Sequence, residues 1–210
     1  VNLSVYGNMS SDIADTEIIF APSSDLAIQN YIAREIIARN VADWDFVKKH
    51  TVFATGPYDI GYGFRPKNAD KFASAAEMET YKNEQVRVLD KHEAIAQRRK
   101  EGEAVPQANA ATPMKDWAIS LEDFKKALEP YTLDFVAEVA KGDPDEPMAD
   151  FKAKLKLLAD YYCDRNRKIV SYWTMGFNQH QRGSWVNEQA YMTHLLTGRQ
   201  CKPGDGAFSL

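Results

Sequence analysis

The densest run of side chains able to bind or react is Met175-Gly176-Phe177-Asn178-Gln179-His180-Gln181-Arg182-Gly183. Asn178, Gln179, His180 and Arg182 could hydrogen-bond a polar heterocycle or an anion, and a helix starting just after them would add the positive end of its dipole. The same run could equally be a strand-to-helix loop whose side chains cap its own backbone. A second candidate is Ser23-Ser24-Asp25. As a plain helix start it supplies an N-cap. As a site it offers a carboxylate to a ring with paired N–H donors, as guanine has at N1 and N2, in a bidentate geometry. One serine could cap while Asp25 binds, so these readings are compatible.

Other chemistry has little support. His50, His92, His180 and His194 are scattered, with no pair at i, i+4 and none beside a cysteine, so no metal site is expected within the chain. Cys163 and Cys201 form neither a CxxC pair nor a disulfide framework. No nucleophile elbow, Walker loop or GxGxxG fingerprint occurs. Gly204-Asp205-Gly206 reads as a turn, and Arg98-Arg99-Lys100, flanked by acids, as solvated surface.

Twenty-six Lys and Arg against 30 Asp and Glu leave a net charge of -4 over 210 residues. A chain that held nucleic acid through its phosphates would carry a basic surplus, so no nucleic-acid partner is expected. Mean hydropathy is -0.48, and no apolar run approaches the roughly 18 residues of a membrane span. With 44% hydrophobic residues the chain can bury a sizeable core. It begins on Val1 with no targeting pattern and closes on what reads as the start of another element, so an internal piece of a longer protein is expected.

The elements that must position the candidates follow from periodicity. A short strand is expected over 2–6 and a second over 15–21, stopped by Pro22. From Asp25 to Asn40, Ile28, Ile32 and Ile36 recur at i+4, and Leu26, Tyr31, Ala33 and Ile37 widen the stripe, predicting an amphipathic helix capped by Ser23, Ser24 or Asp25. Asp43 should cap a short helix to Lys49. A Gly- and Tyr-rich ordered loop covers 56–66, and 67–114 reads as a charged insertion with solvated helices and a flexible end. Ser120 opens a capping box for a helix stopped by Pro130, and Thr132 caps the next. Pro147, at a first helical position, leads a helix carrying Phe151, Leu155, Leu158 and Tyr162. Lys168–Thr174 is a strong strand, and Trp185–Thr197 a helix bracketed by Ser184 and Gly198. This order, with connections too long for hairpins, predicts an α/β architecture on a mostly parallel sheet. Ligands of such sheets bind beyond the carboxyl ends of strands. The places expected here are the loop after the first strand, the Pro22–Asp25 turn and the loop after Thr174.

Ser171-Tyr172-Trp173-Thr174-Met175-Gly176-Phe177-Asn178-Gln179-His180, with Arg182-Gly183, Trp185 and His194-Leu195-Leu196-Thr197-Gly198, closely resembles the catalytic subunits of the bacterial periplasmic nitrate reductase family, within the molybdopterin oxidoreductases. Leu26 to Asn40, Asp59–Gly63 with Arg65-Pro66, and Pro203-Gly204 with Phe208-Ser209-Leu210 resemble it too. The likeness is strong over about 2–66 and 168–210, fair over 115–167 and poor across 67–114. A short Met-Gly to Gln-His motif is shared with formate dehydrogenases. The extension through the Trp185 helix favours nitrate reductase.

The resemblance implies a doubly wound, Rossmann-like sheet with helices on both faces, divided as 1–66, a charged insertion at 67–114, and 115–210. It implies Mo-bis(molybdopterin guanine dinucleotide) as cofactor, with a 4Fe-4S cluster and the molybdenum ligand supplied from outside this segment. By position, Ser4, Val5, Tyr6, Gly7 and Asn8 match a first dinucleotide-binding loop. Ser23, Ser24 and Asp25 match a second, with Asp25 toward the guanine. Met175 and Gln179 match residues lining the pterin and the metal. Gly7, Asn8 and Ser23 are shorter than the polar residues expected there, so those contacts would be backbone-only or absent. Nitrate as substrate, a c-type cytochrome redox subunit and a periplasmic location are likewise implied. The segment alone should be inactive. A sister enzyme (a formate dehydrogenase or assimilatory nitrate reductase) and a non-enzymatic α/β interaction module are the alternatives.

Overall fold

The computed structural model describes residues 1–51, 120–179, 183–200 and 202–210, with the backbone alone at Ser184. In chain order the described elements are β1 (Asn2–Ser4), a 3-10 turn (Ser11–Ile13), β2 (Glu17–Ile19), α1 (Asp25–Ala38), α2 (Trp44–His50), α3 (Leu121–Leu128), α4 (Leu133–Ala140), α5 (Met148–Cys163), β3 (Val170–Trp173), the single turn α6 (Met175–Asn178), α7 (Gly183–Leu196) and β4 (Gly206–Ser209). Val1–Thr51 and Leu121–Leu210 make one compact unit. The expected loop at 56–66, the insertion at 67–114 and the boundaries at 66/67 and 114/115 lie outside the described residues.

The i+4 isoleucines place α1 at the centre of this unit. Ile28, Tyr31, Ile32, Ala33 and Ile36 are buried, and the helix packs against α3, α4, α5 and α7. Full burial of each large side chain is worth roughly 1.5–3 kcal/mol, which outweighs the entropy lost by β-branched residues in a helix. α5 presents Phe151, Leu155, Leu158 and Tyr162 to the same core, as its spacing predicts. At the rim, Arg39, the C-cap residue of α1, bonds Glu35 at 2.9 Å and reaches Asp160 of α5 at 2.6 Å.

Caps set most of the helix limits. Asp43 accepts the Phe46 amide at 3.1 Å and Thr132 the Phe135 amide at 3.2 Å, both as expected. Ser24 holds the N-cap position of α1, but its hydroxyl donates back to Ala21 O at 2.6 Å rather than accepting from the first turn. Pro147 sits one residue earlier than expected, at the N-cap with an extended ψ of 137. Having no N–H to satisfy, proline fits either place.

Strand pairing is parallel. Leu3 registers with Ile18 and Ser4 with Ile19, while Val170 registers with Gly206 and Trp173 with Ser209. Among the described residues these are two separate two-stranded sheets, β1-β2 and β3-β4. Mixed helix and strand with parallel pairing agrees with the expected class.

Three local expectations need correction. The strands are shorter than predicted because side chains take over at their ends: Tyr6 N–H donates to Ser4 Oγ at 3.4 Å, and Ile169 N–H to Asp205 Oδ1 at 2.7 Å. The expected loop after Thr174 begins as a helical turn, with the Phe177 and Asn178 amides both bonded to Thr174 O at 3.2 Å. Residues 204–206 do more than turn the chain, since they lead directly into β4.

Candidate functional site

Because β1 and β2 run parallel, their carboxyl ends lie on one edge. The structure therefore brings the loop after Ser4 and the Pro22–Asp25 turn to the same end of one sheet, as expected for ligand loops. The first loop is held by its own side chains. Asn8 donates through Nδ2 to Ser4 Oγ at 3.0 Å and accepts the Ser10 amide at 2.9 Å, while Ser11 Oγ accepts the Asn8 amide at 2.8 Å. Asn2 donates to Ser11 Oγ at 3.1 Å, and Ser11 in turn donates to Glu17. Ser4 and Asn8 are thus occupied within the loop. Val5, Tyr6 and Gly7 face outward, Tyr6 at 67% exposure, and a side-chain carbon at Gly7 would meet nothing.

In the second turn Ser23 is exposed and takes a φ of +66. That left-handed conformation is unusual for a residue with a side chain and bends the chain sharply from β2 into α1. Asp25 is 6% exposed, and its Oδ1 accepts the Leu26 amide at 2.9 Å. The carboxylate is therefore embedded at the helix start.

Met175 and Gln179 stand apart from these loops in sequence, on the turn that follows β3. Met175 is 63% exposed, Gln179 is exposed, and a carbon added at Gly176 would meet nothing. Asn178 Nδ2 donates to Ser209 Oγ at 2.9 Å, joining this turn to the carboxyl end of β4. Behind it, Trp173, Ala190 and Ala207 form a small core flanked by Phe177 and Tyr191. His180 and Arg182 lie outside the described residues.

Sequence reasoning missed a buried polar cluster where α5, β3 and the last turns of α7 meet. His194 of α7 is fully buried, with Nε2 2.9 Å from Ser171 Oγ of β3, which shares a 2.6 Å hydrogen bond with the Tyr162 hydroxyl of α5. Burial and the Arg199 guanidinium bring His194 down to about 4. Arg199 donates to the carbonyls of Tyr162 (2.7 Å), Arg167 (3.2 Å) and Asp164, and pairs with Asp205 at 3.7 Å. The signals were faint: Tyr162 read as one more apolar stripe position, and Asp205 hid between glycines. Burial pushes the Cys163 thiol up to about 11, so it stays protonated at neutral pH and is a poor metal ligand. Among the described residues, no cluster of His, Cys, Asp and Glu could hold a metal ion.

No family model matches the chain. Along its whole length, however, it is 54% identical to a periplasmic nitrate reductase from Campylobacter fetus subsp. fetus (strain 82-40). From end to end the chain is similar to one stretch of a periplasmic nitrate reductase. It spans 23% of the length of that relative. The alignment spans the whole chain, residues 67–114 included, and agrees with the likeness read from 2–66 and 168–210.

Proposed function

We propose that these residues work within a longer periplasmic polypeptide that reduces nitrate to nitrite, and that they hold part of its Mo-bis(molybdopterin guanine dinucleotide). The observation carrying this reading is the 54% identity to a periplasmic nitrate reductase along the whole chain. When bound, the molybdenum centre would supply a two-electron reduction in which nitrate gives up one oxygen and, with two protons, yields nitrite and water.

The residues present fit a dinucleotide cofactor in a specific way. The outward Val5-Tyr6-Gly7 edge and the open space above Gly7 and Gly176 admit a ligand close to backbone. Since Ser4 and Asn8 are engaged with each other, the first loop contributes Tyr6 and backbone amides rather than long polar side chains. Ser23, Ser24 and Asp25 form the second contact, at the amino end of α1, where the helix dipole favours negative charge. Met175 and Gln179 reach the pterin side from the turn after β3. In this reading β1-β2 and β3-β4 are pieces of one doubly wound sheet, in a molecule divided as 1–66, 67–114 and 115–210. A 4Fe-4S cluster does not fit the residues present, because the chain has only two cysteines. That cluster and the metal ligand belong to other parts of the polypeptide, which works with a c-type cytochrome redox subunit.

The test is to purify the full-length protein and measure its molybdenum content together with nitrite formed from nitrate under a reduced viologen dye. Stoichiometric molybdenum with nitrite production supports the reading. Molybdenum with formate oxidation instead would move it to a sister enzyme, and absence of the metal would remove the enzyme altogether.

A further inference from the structure

The turn bearing Met175 and Gln179 is fastened from behind by a residue with no place in the sequence motif. Asn187 lies one helical turn into α7. Its Oδ1 accepts the Trp173 indole N–H at 2.6 Å, and its Nδ2 donates to Gly183 O at 2.7 Å. Trp173 is the last residue of β3, and Gly183 is the first of α7. One side-chain amide therefore joins the strand end before the turn to the helix start after it. The partners leave no choice of orientation, since an indole N–H only donates and a carbonyl only accepts.

The surrounding packing makes the fastening tight. A Cβ at Gly183 would lie 2.4 Å from Phe177 O, so the helix start is pressed directly against α6. The Trp173 ring packs on Phe177 at 5.6 Å and on Tyr191 at 5.2 Å. Asn178 is tied to Ser209 on the far side. Met175 and Gln179 themselves are exposed, so little of their placement comes from their own burial.

We propose that Asn187 is a positioning residue: its amide clamps Trp173 to Gly183 and so holds the Met175–Gln179 turn in one place for the ligand. This rests on the reading of that turn as a cofactor contact. Aspartate at 187 keeps the shape and the acceptor for Trp173 but, when ionised, sets a second acceptor against Gly183 O, losing the donor half of the clamp.

The experiment compares the full-length wild-type protein with Asn187→Asp by amide hydrogen exchange over 174–179 and by the rate of molybdenum loss in mild denaturant. The expected result is exchange faster by roughly tenfold at pH 8, with unchanged exchange in α1 and α5 and quicker loss of molybdenum. At pH 5 the ratio to wild type should fall, because a carboxyl facing a carbonyl is raised in pKa and regains a donor on protonation. Exchange over 174–179 equal to wild type at pH 8 would overturn the clamp. Faster exchange with wild-type molybdenum retention would instead overturn the cofactor reading of the turn and leave the clamp standing.

Discussion

Burial and the nearby Arg199 lower His194 to about 4 from 6.5, so the folded protein holds a neutral imidazole where the unfolded chain would hold a charged one. As pH falls below 6.5 the unfolded state takes a proton that the native state refuses. Stability is therefore lost progressively from about pH 6.5 and the loss is complete near pH 4, at about 3 kcal/mol. Between pH 6.5 and 4.5 the thermal unfolding midpoint of the full-length wild type should fall more steeply than that of His194→Gln. Equal slopes would show that the imidazole is not the group responsible. Asp25 gives a second prediction at this scale. Asp25 is the first residue of α1 and accepts the Leu26 amide through Oδ1, a bond an asparagine Oδ1 can also accept, so Asp25→Asn should cost no more than about 1 kcal/mol of helix-dipole stabilisation. If the carboxylate binds guanine, the variant should lose cofactor faster, by the equivalent of roughly 1.5–3 kcal/mol. Molybdenum retention equal to wild type would leave Asp25 as a helix-start residue only.

Among the elements, the clearest case is the end of α7. Gly198 has a φ of +63, and a carbon added there would fall 2.7 Å from the Asp43 carboxylate. The same Asp43 caps α2 through its side chain and donates its amide to Leu196 O at 2.7 Å. A single residue thus starts one helix and finishes another, and glycine is what lets them meet. Gly198→Ala should cost more than the about 1 kcal/mol expected from backbone conformation alone, read as a lowered unfolding midpoint. A change within a few tenths would mean that α2 moves aside freely. Both partners were visible in the sequence, Asp43 as a cap and Gly198 as a helix stop. Their contact was not, because the 154 intervening positions carry no sign of which cap meets which stop.

At the scale of the molecule, the β3-β4 sheet has more to bury than the described residues cover. Val170, Tyr172 and Phe208 stand exposed on one face of β3-β4, Tyr172 at 65% and stacked on Phe208 at 5.8 Å. Parallel strands are ordinarily covered on both faces. This is consistent with a chain spanning 23% of the length of its relative. A protein trimmed to these 210 residues should bind no molybdenum and form no nitrite, measured against the full-length protein under the same conditions. Nitrite formation by the trimmed chain would overturn the division of labour proposed above.

Periodicity and cap chemistry are properties of neighbouring residues, so the α1 and α5 stripes, the Asp43 and Thr132 caps, and the strand before Thr174 were all legible from the amino-acid order. So was the family likeness, carried by the run from Ser171 to Gly198. What folding alone decided was how polar groups far apart in the chain satisfy one another. Tyr162 meets Ser171 and His194, Arg199 closes the end of α5 against Asp205, and Asn187 bridges Trp173 to Gly183. The physical reason is that a buried donor must find an acceptor wherever packing offers one. Which acceptor that is depends on the juxtaposition of helices and strands, and no local pattern of residues encodes it.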